Sequence, residues 1–454
     1  MDGRAVLTCG MNYGDEGKGS FVDWLAEGGA PVIMKYNGGA QASHTVASPS
    51  GTVHRFAQLG SGMFHPDCST VLCENFTMDP FSLAVECEVF AEKLNLPAQR
   101  VLDRVTVHEN CLTVTRLHRC INRVELEQLA LQRSSVGTGV STAAAVLAQH
   151  GIGLRAGELQ TPILRERLML LQEILEQRLS MGSFTYNPAL VEELARVRGR
   201  NGLLHMLREY DTLFQTYRIR TVSSLEAFEG RHLVLEGSQG LLLDRKYGIL
   251  PHTTQLDTTA LWGKRAYPKA RAVGIVKAFA TRHGVGAFPT EDAELSARLD
   301  DPNQEIGRYN GRIRFGHFDA VLTRYAQRVN GVDELHVSCL DRLTGLPELK
   351  ICVGYSFNGE PDEDFDRLFA WEPSKIGVII REVLSLGSKA DLYLSRCTPL
   401  YLSLRSWDED ISAAKSLCEL PKNCRSYLDE LERCTEIPVT AVSVGATRCK
   451  KLKR

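Results

Sequence analysis

Gly10-Met11-Asn12-Tyr13-Gly14-Asp15-Glu16-Gly17-Lys18-Gly19-Ser20 is the first glycine-rich stretch of the chain. A short apolar run, Ala5-Val6-Leu7-Thr8-Cys9, precedes it within a strand predicted over residues 4–9, and the largely apolar residues 21–25 follow it. A strand, a glycine-rich turn and a helix in this order are typical of a phosphate-binding loop. The glycines let backbone amides turn toward phosphate oxygens, and the N-terminus of the helix carries partial positive charge. Lys18 adds a full positive charge at the same place.

This loop differs from a strict P-loop at two positions. Asn12 stands where that motif has its first glycine, and Gly19 stands where it has Ser or Thr. A tight turn between a strand and a helix would explain the glycines, but not the two acidic residues and the lysine among them. We therefore predict a phosphate-binding loop that comprises Gly14, Glu16, Gly17, Lys18 and Gly19.

Apolar runs elsewhere in the chain predict the fold class. Each is short, rich in β-forming residues and followed by polar or glycine-rich sequence; they are residues 32–36, 233–235, 272–276 and 335–340. This pattern is typical of an open parallel sheet, whose ligands bind beyond the carboxyl ends of the strands. The predicted fold is α/β, with a large, mostly parallel central sheet and a P-loop-like nucleotide site.

The domain organisation is predicted from a change in the spacing of hydrophobic residues along the chain. Leucines recur on one helical face between residues 160 and 230, at Leu164, Leu168, Leu171, Leu175 and Leu179. Internal repeats and low-complexity linkers are absent from the sequence. We predict a single domain over residues 1–454, with a largely helical insertion at 80–230 and a C-terminal α+β segment at 346–454.

Composition excludes several classes of protein. The 454 residues are 43% hydrophobic and 24% charged, as in an ordinary globular protein, and the net charge of -2 argues against nucleic-acid or membrane partners. No apolar run reaches the ~18 residues of a membrane span, so we expect a cytoplasmic protein. The 13 cysteines form no C-x-x-C pair, which argues against a zinc site or a disulfide framework. Cys9 and Cys352 are predicted to be core residues, and the basic residues 450–454 a solvated tail.

Several ordered blocks resemble one enzyme family, the adenylosuccinate synthetases, which join IMP and aspartate using GTP and magnesium. The residues that carry the resemblance are Gly14-Asp15-Glu16-Gly17-Lys18-Gly19, Gly38-Gly39-Ala40-Gln41-Ala42-Ser43-His44-Thr45, Glu236-Gly237-Ser238-Gln239-Gly240, Lys277 to Glu291, Gly311-Arg312-Ile313-Arg314, Leu340-Asp341 and Ser443-Val444-Gly445. The blocks span nearly the whole chain. The resemblance implies a carbon–nitrogen ligase that is a homodimer.

The resemblance implies catalytic roles for three residues. Asp15 matches the carboxylate that takes the N1 proton of the purine and binds magnesium. His44 matches the histidine that contacts the transferred phosphoryl group, and Gln239 the amide that faces the 6-position. The backbone carbonyl of Ser43 stands where the family has a second magnesium ligand.

The resemblance also implies how the substrates are held. Gln41, Thr138, Gln239, Thr254 and Arg312 match residues that contact the purine nucleotide. Arg312 and Arg314, with Asn310 in the preceding loop, match the aspartate site, where forked guanidiniums suit a dicarboxylate. The residues that match the family's site for the guanine ring of GTP are Cys339, Asp341, Ser443 and Gly445. The C-terminal segment is therefore expected to complete that site.

Four departures from the family pattern affect recognition. One is that the family's substrate-facing stretch differs here at Tyr247, His252, Gln255, Leu256 and Asp257. Arg308-Tyr309-Asn310 replaces smaller residues near aspartate, and Cys339 replaces a lysine beside the guanine ring, which weakens discrimination between GTP and ATP. The arginine that the family supplies from the neighbouring subunit has no clear match; only His150 or Arg155 could replace it.

Three hypotheses follow. The chain is a divergent adenylosuccinate synthetase that uses IMP, or a specialised relative that uses GMP or dGMP, ATP or another amine donor, or a catalytically idle nucleotide-binding regulator. Phage members that act on dGMP are thought to differ at the catalytic aspartate, whereas Asp15 is present here. A regulator would be expected to have lost Asp15, Lys18 or His44, and all three are retained. The first hypothesis is therefore preferred.

Overall fold

The computed structural model describes residues 5–129, 137–182, 184–299, 312–375 and 377–454. Its strands are β1 Ala5–Gly10, β2 Val32–Lys35, β3 His44–Ala47, β4 Val53–Phe56, β5 Ser69–Leu72, β6 Thr77–Met78, β7 Val105–His108, β8 Leu112–Thr113, β9 Arg220–Val222, β10 Leu233–Glu236, β11 Arg271–Lys277, β12 Ala280–His283, β13 Ile313–Gly316, β14 Phe318–Asp319, β15 Glu334–Ser338, β16 Leu349–Phe357, β17 Phe369–Ser374, β18 Gly377–Val383, β19 Cys397–Leu404, β20 Val439–Ser443 and β21 Lys451–Lys453.

The helices lie mainly between these strands. They are α1 Lys18–Leu25, α2 Pro80–Leu94, α3 Ala98–Leu102, α4 Arg116–Gln128, α5 Val140–His150, α6 Ile163–Ser180, α7 Pro188–Val197, α8 Gly199–Thr216, α9 Leu261–Ala266, α10 Ala293–Arg298, α11 Ala320–Asn330, α12 Glu363–Leu368, α13 Ala390–Leu394 and α14 Lys422–Thr435. Among the helices of the described ranges, none is long and apolar enough to span a membrane.

A ten-stranded sheet in the order β21-β20-β15-β11-β1-β10-β2-β5-β7-β9 forms the centre of the fold. All its neighbouring strands are parallel except β20 and β21, so the predicted fold class is confirmed. Both faces are covered: Val32 and Met34 of β2 belong to one apolar core, and Ile33 belongs to another. Burial on both faces explains why the strands are continuous apolar runs.

The carboxyl ends of the central strands meet at one edge of this sheet. Five parallel strands are consecutive in the sheet, in the order β15-β11-β1-β10-β2. The loop that follows each of them therefore begins at the same edge. Most of the predicted site residues lie in these loops.

The regions outside the central sheet have their own cores. Helices α4 to α8 enclose a separate apolar cluster that includes Leu168, Leu171 and Leu175, as the leucine period predicted. Two strands within residues 80–230, β7 and β9, nevertheless belong to the central sheet. In the C-terminal segment, β14 and β16 to β19 form a second sheet, whereas β20 and β21 join the central one.

Two sequence predictions are corrected by the structure. The strand expected at 335–340 ends at Ser338, because Cys339 has a φ of 58°, a left-handed conformation that breaks the ladder. The C-terminal basic residues are not a solvated tail: Lys451 begins β21 and is only 8% exposed. The predictions for Cys9 and Cys352 are confirmed, since both thiols are free and buried.

Candidate active site

The loop between β1 and α1 has the conformation that its glycines allow. Gly14 and Gly17 have φ values of 97° and 76°, which side chains with a Cβ rarely adopt, and Gly17 is the residue before α1. Lys18 is only 2% exposed. Its ammonium donates to the Gly14 carbonyl at 2.6 Å and pairs with the Glu16 carboxylate at 2.9 Å. The lysine is therefore fixed within the loop.

Glu16 stabilises the loop from within. Its carboxylate accepts a hydrogen bond from the backbone N–H of Asn12, and the side chain is buried. Together with the salt bridge to Lys18, this hydrogen bond stabilises the conformation of the loop.

Asp15, in the same loop, contacts a different strand of the sheet. Its carboxylate accepts a 2.7 Å hydrogen bond from the ammonium of Lys277, which ends β11, and its side chain is 45% exposed. Burial acts to raise the pKa of Asp15, but the Lys277 charge and hydrogen bond outweigh it and hold the pKa below its usual value. Asp15 is thus an ionised carboxylate that is accessible to a ligand.

His44 lies next to the phosphate loop. A Cβ placed on Gly19 would be 2.8 Å from the Cβ of His44, so the start of α1 and the start of β3 are in contact. The loop with Asp15 and the turn with His44 are therefore brought to one side of the molecule.

A buried ion-pair cluster supports His44. Its Nδ1 is hydrogen-bonded to the carboxylate of Glu236, the last residue of β10. Glu236 also accepts from the backbone N–H of Ser61 at 2.9 Å and lies 3.5 Å from the ammonium of Lys35. Burial acts to raise the pKa of Glu236, but Lys35 and His44 hold it well below its usual value. The pKa of His44 is lowered, because burial outweighs the hydrogen bond to Glu236.

Gln239 has two unusual features. Its φ of 62° is positive although it is not glycine, and its buried side-chain oxygen has no hydrogen-bond partner among the described residues. A Cβ on Gly14 would lie 3.0 Å from the Gln239 Cα, so this residue packs directly against the phosphate loop. Backbone strain and an unsatisfied polar atom together are typical of a functional site.

A second group of predicted residues meets at the N-terminus of α5. The hydroxyl of Thr254 is hydrogen-bonded to that of Ser141, in the first turn of α5, at 2.7 Å. A Cβ on Gly39 would lie 2.5 Å from Val140 Cγ1 and 3.0 Å from Gln41 Oε1. Thr138 lies in the turn just before the helix, and Gly139 leaves the helix without a side-chain cap. Uncapped amides and hydroxyls form a site suited to an anion.

The structure describes only some of the residues that are predicted to bind the substrate aspartate. Arg314 of β13 pairs with Glu291 at 2.7 Å and donates to the Gly286 carbonyl at 2.7 Å. Arg312 is exposed just before the same strand. Asn310, with Arg308 and Tyr309, lies outside the described residues.

The predicted base-site residues are brought together by two neighbouring strands. Cys339 and Asp341 follow β15, whereas Ser443 and Gly445 lie at the end of β20, its parallel neighbour. The Ser443 hydroxyl donates to the Gly445 carbonyl at 2.7 Å. Burial raises the pKa of Asp341.

Several residues of these sites were not assigned a role from the sequence. They are Lys35, Ser61, Ser141, Glu236, Lys277 and Lys451. A signal existed for Lys35, because a lysine at the end of an otherwise apolar strand is buried only if it is paired. No comparable signal marked Ser61 or Ser141, which reach their partners through tertiary contacts alone.

Comparison with known proteins identifies the family. A family model described as adenylosuccinate synthetase matches residues 7–452. The chain belongs to the adenylosuccinate synthetase family. It is therefore a carbon–nitrogen ligase.

Relatives in this family align over almost their whole length. Adenylosuccinate synthetase of Desulforamulus reducens is 31% identical over 98% of this chain and 98% of its own. That of Bacillus subtilis is 31% identical over 98% of this chain and 96% of its own.

Solved structures have the same fold. The fully ligated adenylosuccinate synthetase of Plasmodium falciparum superimposes with a TM-score of 0.81 at 21% identity and covers 100% of both chains. The succinoaminodeoxyadenylate synthetase of cyanophage S-2L, bound to dGMP and dATP, is more distant, with a TM-score of 0.56 at 16% identity over 100% of this chain and 96% of its own.

Proposed function

We propose that this adenylosuccinate synthetase family member joins aspartate to IMP, at the expense of GTP and with magnesium, to give adenylosuccinate, GDP and phosphate. The proposal is supported above all by the convergence of Asp15, His44 and Gln239 at one edge of the central sheet. An ionisable base, a phosphoryl contact and an amide aimed at the purine are the groups that this chemistry requires.

In the first step, the ionised carboxylate of Asp15 takes the proton from N1 of IMP. The electron pair that is released makes the 6-oxygen nucleophilic, and this oxygen attacks the γ-phosphorus of GTP. The bond from that phosphorus to the β-phosphate oxygen breaks, which yields 6-phosphoryl-IMP and GDP. Transfer of this kind is accelerated mainly by positioned charge.

Three side chains, two of them able to carry positive charge and one an amide dipole, provide this electrostatic stabilisation. Lys18, which pairs with Glu16 in the loop, would bind the phosphates. His44 would contact the phosphoryl group in transit, and its hydrogen bond to Glu236 holds the ring in place. Gln239 steadies the charge that develops on the 6-oxygen. The arrival of an anionic phosphoryl group favours the protonated form of His44, which can then donate from both ring nitrogens.

In the second step, the amine of aspartate attacks C6 of the purine. The bond from C6 to the phosphorylated oxygen breaks, phosphate leaves, and the amine loses a proton as adenylosuccinate forms. Arg314 and Arg312 hold the carboxylates of aspartate. We assign the 5′-phosphate of IMP to the N-terminus of α5, because the hydroxyls of Thr254 and Ser141 meet there and Gln41 lies close by.

Magnesium fits the residues at the mouth of the loop. Asp15 offers an accessible carboxylate with a lowered pKa that would bind the metal. The backbone carbonyl of Ser43, next to His44 in the sequence, would be a second oxygen ligand. No cluster of three His, Cys, Asp or Glu side chains occurs in the described ranges. Magnesium usually binds one or two carboxylates together with phosphates and waters. When bound, magnesium neutralises charge on the triphosphate.

A cytoplasmic homodimer is also part of the proposal. All 13 cysteines are free thiols, as in proteins of a reducing compartment. His150, at the end of α5, is exposed, and Arg155 is half-buried and donates to the Asn110 carbonyl at 2.8 Å. These two residues are the candidates to replace the arginine that the family supplies from the neighbouring subunit.

A panel of purine monophosphates tests the proposed reaction. IMP, GMP, dGMP and XMP are each incubated with aspartate, magnesium and GTP or ATP, and the products are analysed by mass spectrometry for a succinyl adduct. The proposal expects the adduct from IMP with GTP. An adduct formed only from GMP or dGMP would favour the specialised relative, and the absence of any adduct or phosphate release would favour the idle regulator.

A further inference from the structure

Glu86, on helix α2, is a buried carboxylate to which the proposed reaction gives no role. Its side chain is only 8% exposed. It accepts hydrogen bonds from the backbone N–H groups of three consecutive residues, Ala57 at 2.8 Å, Gln58 at 2.8 Å and Leu59 at 3.2 Å. Because hydrogen bonds to an ionised carboxylate are about twice as strong as neutral ones, three of them in a row fix the backbone of this segment.

The same segment leads to the carboxylate that supports His44. Ser61 donates to Glu236 through its backbone N–H at 2.9 Å and through its hydroxyl at 2.5 Å. Glu236 is also the hydrogen-bond partner of His44 Nδ1. Residues 57–61 are therefore held by Glu86 at one end and by the partner of His44 at the other.

A second connection from this segment to His44 runs through the backbone. His44 of β3 pairs in register with Phe56 of β4, the residue directly before Ala57. Both connections end beside the start of α1, because a Cβ placed on Gly19 would lie 2.8 Å from His44 Cβ and 3.2 Å from Ser61 Oγ. A shift of residues 57–61 would therefore move His44 relative to the phosphate loop.

The charges around Glu86 come from three elements. Lys35 lies on β2, His54 on β4 has its Nε2 4.0 Å from the carboxylate, and Lys93 on α2 is hydrogen-bonded to His54 Nδ1 at 3.2 Å. Burial raises the pKa of Glu86 to about 7, although the backbone N–H groups and Lys35 act in the opposite direction. Burial also lowers the pKa of His54 to about 4, so this imidazole is neutral near pH 7.

On the basis of the role that the proposed function gives to His44, we propose that Glu86 is a positioning residue for His44 that acts through residues 57–61. Loss of the Glu86 charge should slow phosphoryl transfer, because the histidine is displaced from the phosphoryl group. It should leave nucleotide binding in place, because the phosphate loop and the N-terminus of α5 are separate elements.

The test removes the charge and keeps the shape of the side chain. In Glu86→Gln the carboxamide has one acceptor oxygen instead of two, so its N–H groups face at least one of the three backbone donors. The matched control is Glu88→Gln, an exposed carboxylate on the same helix that accepts from the Tyr217 hydroxyl. Values of kcat and KM for IMP and GTP are measured above the pKa of Glu86, where this carboxylate is ionised.

A second measurement observes His44 directly. The chemical shifts of its ring nitrogens are recorded by nitrogen NMR on the full-length chain without nucleotides, and its signals are assigned by their loss in His44→Asn. In Glu86→Gln these shifts should change, because the hydrogen bond of Nδ1 to Glu236 is altered. In Glu88→Gln they should stay as in the intact chain.

We expect Glu86→Gln to lower kcat by about tenfold, less than the ~100-fold loss that a 1 Å misplacement can cause. Both KM values should stay unchanged, and Glu88→Gln should match the intact chain. Unchanged His44 ring shifts in Glu86→Gln would overturn the inference, as would a rise in KM with unchanged kcat.

The inference stays testable if Glu86→Gln does not fold, as judged by circular dichroism. The intact chain is then titrated across the pKa of Glu86, and the amide signals of residues 57–59 give its midpoint. An inflection of the His44 ring signals at the same midpoint supports the inference, and its absence overturns it. The NMR measurements need no substrate or turnover, so their failure is distinguishable from a failure of the proposed reaction.

Discussion

The imidazole of His44 and the carboxylate of Glu236 form a hydrogen bond although 192 residues separate them in the sequence. The bond links Nδ1 of the ring to the last residue of β10 and so fixes the orientation of the whole ring, including Nε2. Lys35 neutralises the carboxylate from the neighbouring strand β2. The orientation of His44, the proposed phosphoryl contact, therefore depends on the buried charges of Glu236 and Lys35.

Substitution Glu236→Gln should lower kcat by about 100-fold, within the range lost when a positioned acid or base is removed. Nucleotide affinity should change less, because the phosphate loop remains. The variant leaves a buried ammonium without its counter-charge, which costs about 3–5 kcal/mol of stability. Steady-state kinetics and thermal unfolding measure the two effects.

Two comparisons separate positioning from stability. Glu236→Gln combined with Lys35→Met should recover stability but not turnover. Glu334→Gln removes a carboxylate that lies 3.3 Å from another buried histidine, His336, and should leave kcat unchanged. A similar loss of kcat in Glu334→Gln would contradict the role of Glu236.

Substitution Lys277→Met should move the acid limb of the pH profile of kcat/KM for IMP to higher pH. In the intact chain, Lys277 holds the pKa of Asp15 below its ordinary value, so the base stays ionised until the pH falls through that lowered pKa. Without Lys277, burial raises the pKa, and Asp15 becomes protonated at a higher pH. Lys350→Met, which removes a surface partner of Glu348, is the control. An acid limb that stays in place would exclude Asp15 as the base.

Substitution Ser141→Ala should raise the KM for IMP about tenfold, because a hydrogen bond to a charged group contributes about 1.5–3 kcal/mol. The KM for GTP should not change, since the phosphate loop is a separate site. Ser180→Ala, at the exposed end of α6, is the matched control. If Ser141→Ala changed the KM for GTP but not the KM for IMP, the N-terminus of α5 would not be part of the IMP site.

Substitution Arg314→Leu should raise the KM for aspartate by about 100-fold, as expected for the loss of two charge-assisted hydrogen bonds. Initial rates at varied aspartate measure this, with IMP and GTP saturating. Arg298→Leu disrupts an exposed pair with Glu294 and should leave the aspartate dependence unchanged. An unaffected KM in Arg314→Leu would place the aspartate site elsewhere.

The fold was predictable to the extent that its signals are local. The loop at residues 10–20, the apolar strands and the leucine period of α6 each depend on neighbouring residues, and each appears as expected. Strand boundaries were less predictable. β15 ends at Ser338 because the next residue adopts a left-handed conformation that no local pattern indicates.

The sequence by itself determined the parallel α/β architecture, the glycine-rich loop between β1 and α1, and the family, because these depend on local hydrophobic periodicity and on short ordered motifs. Only the tertiary structure decided which side chains complete the sites. Glu236 reaches His44, Ser141 reaches Thr254, and Lys451 reaches Gly445. The physical reason is that a parallel sheet brings the ends of strands distant in sequence to one edge, and burial then requires their charges to pair.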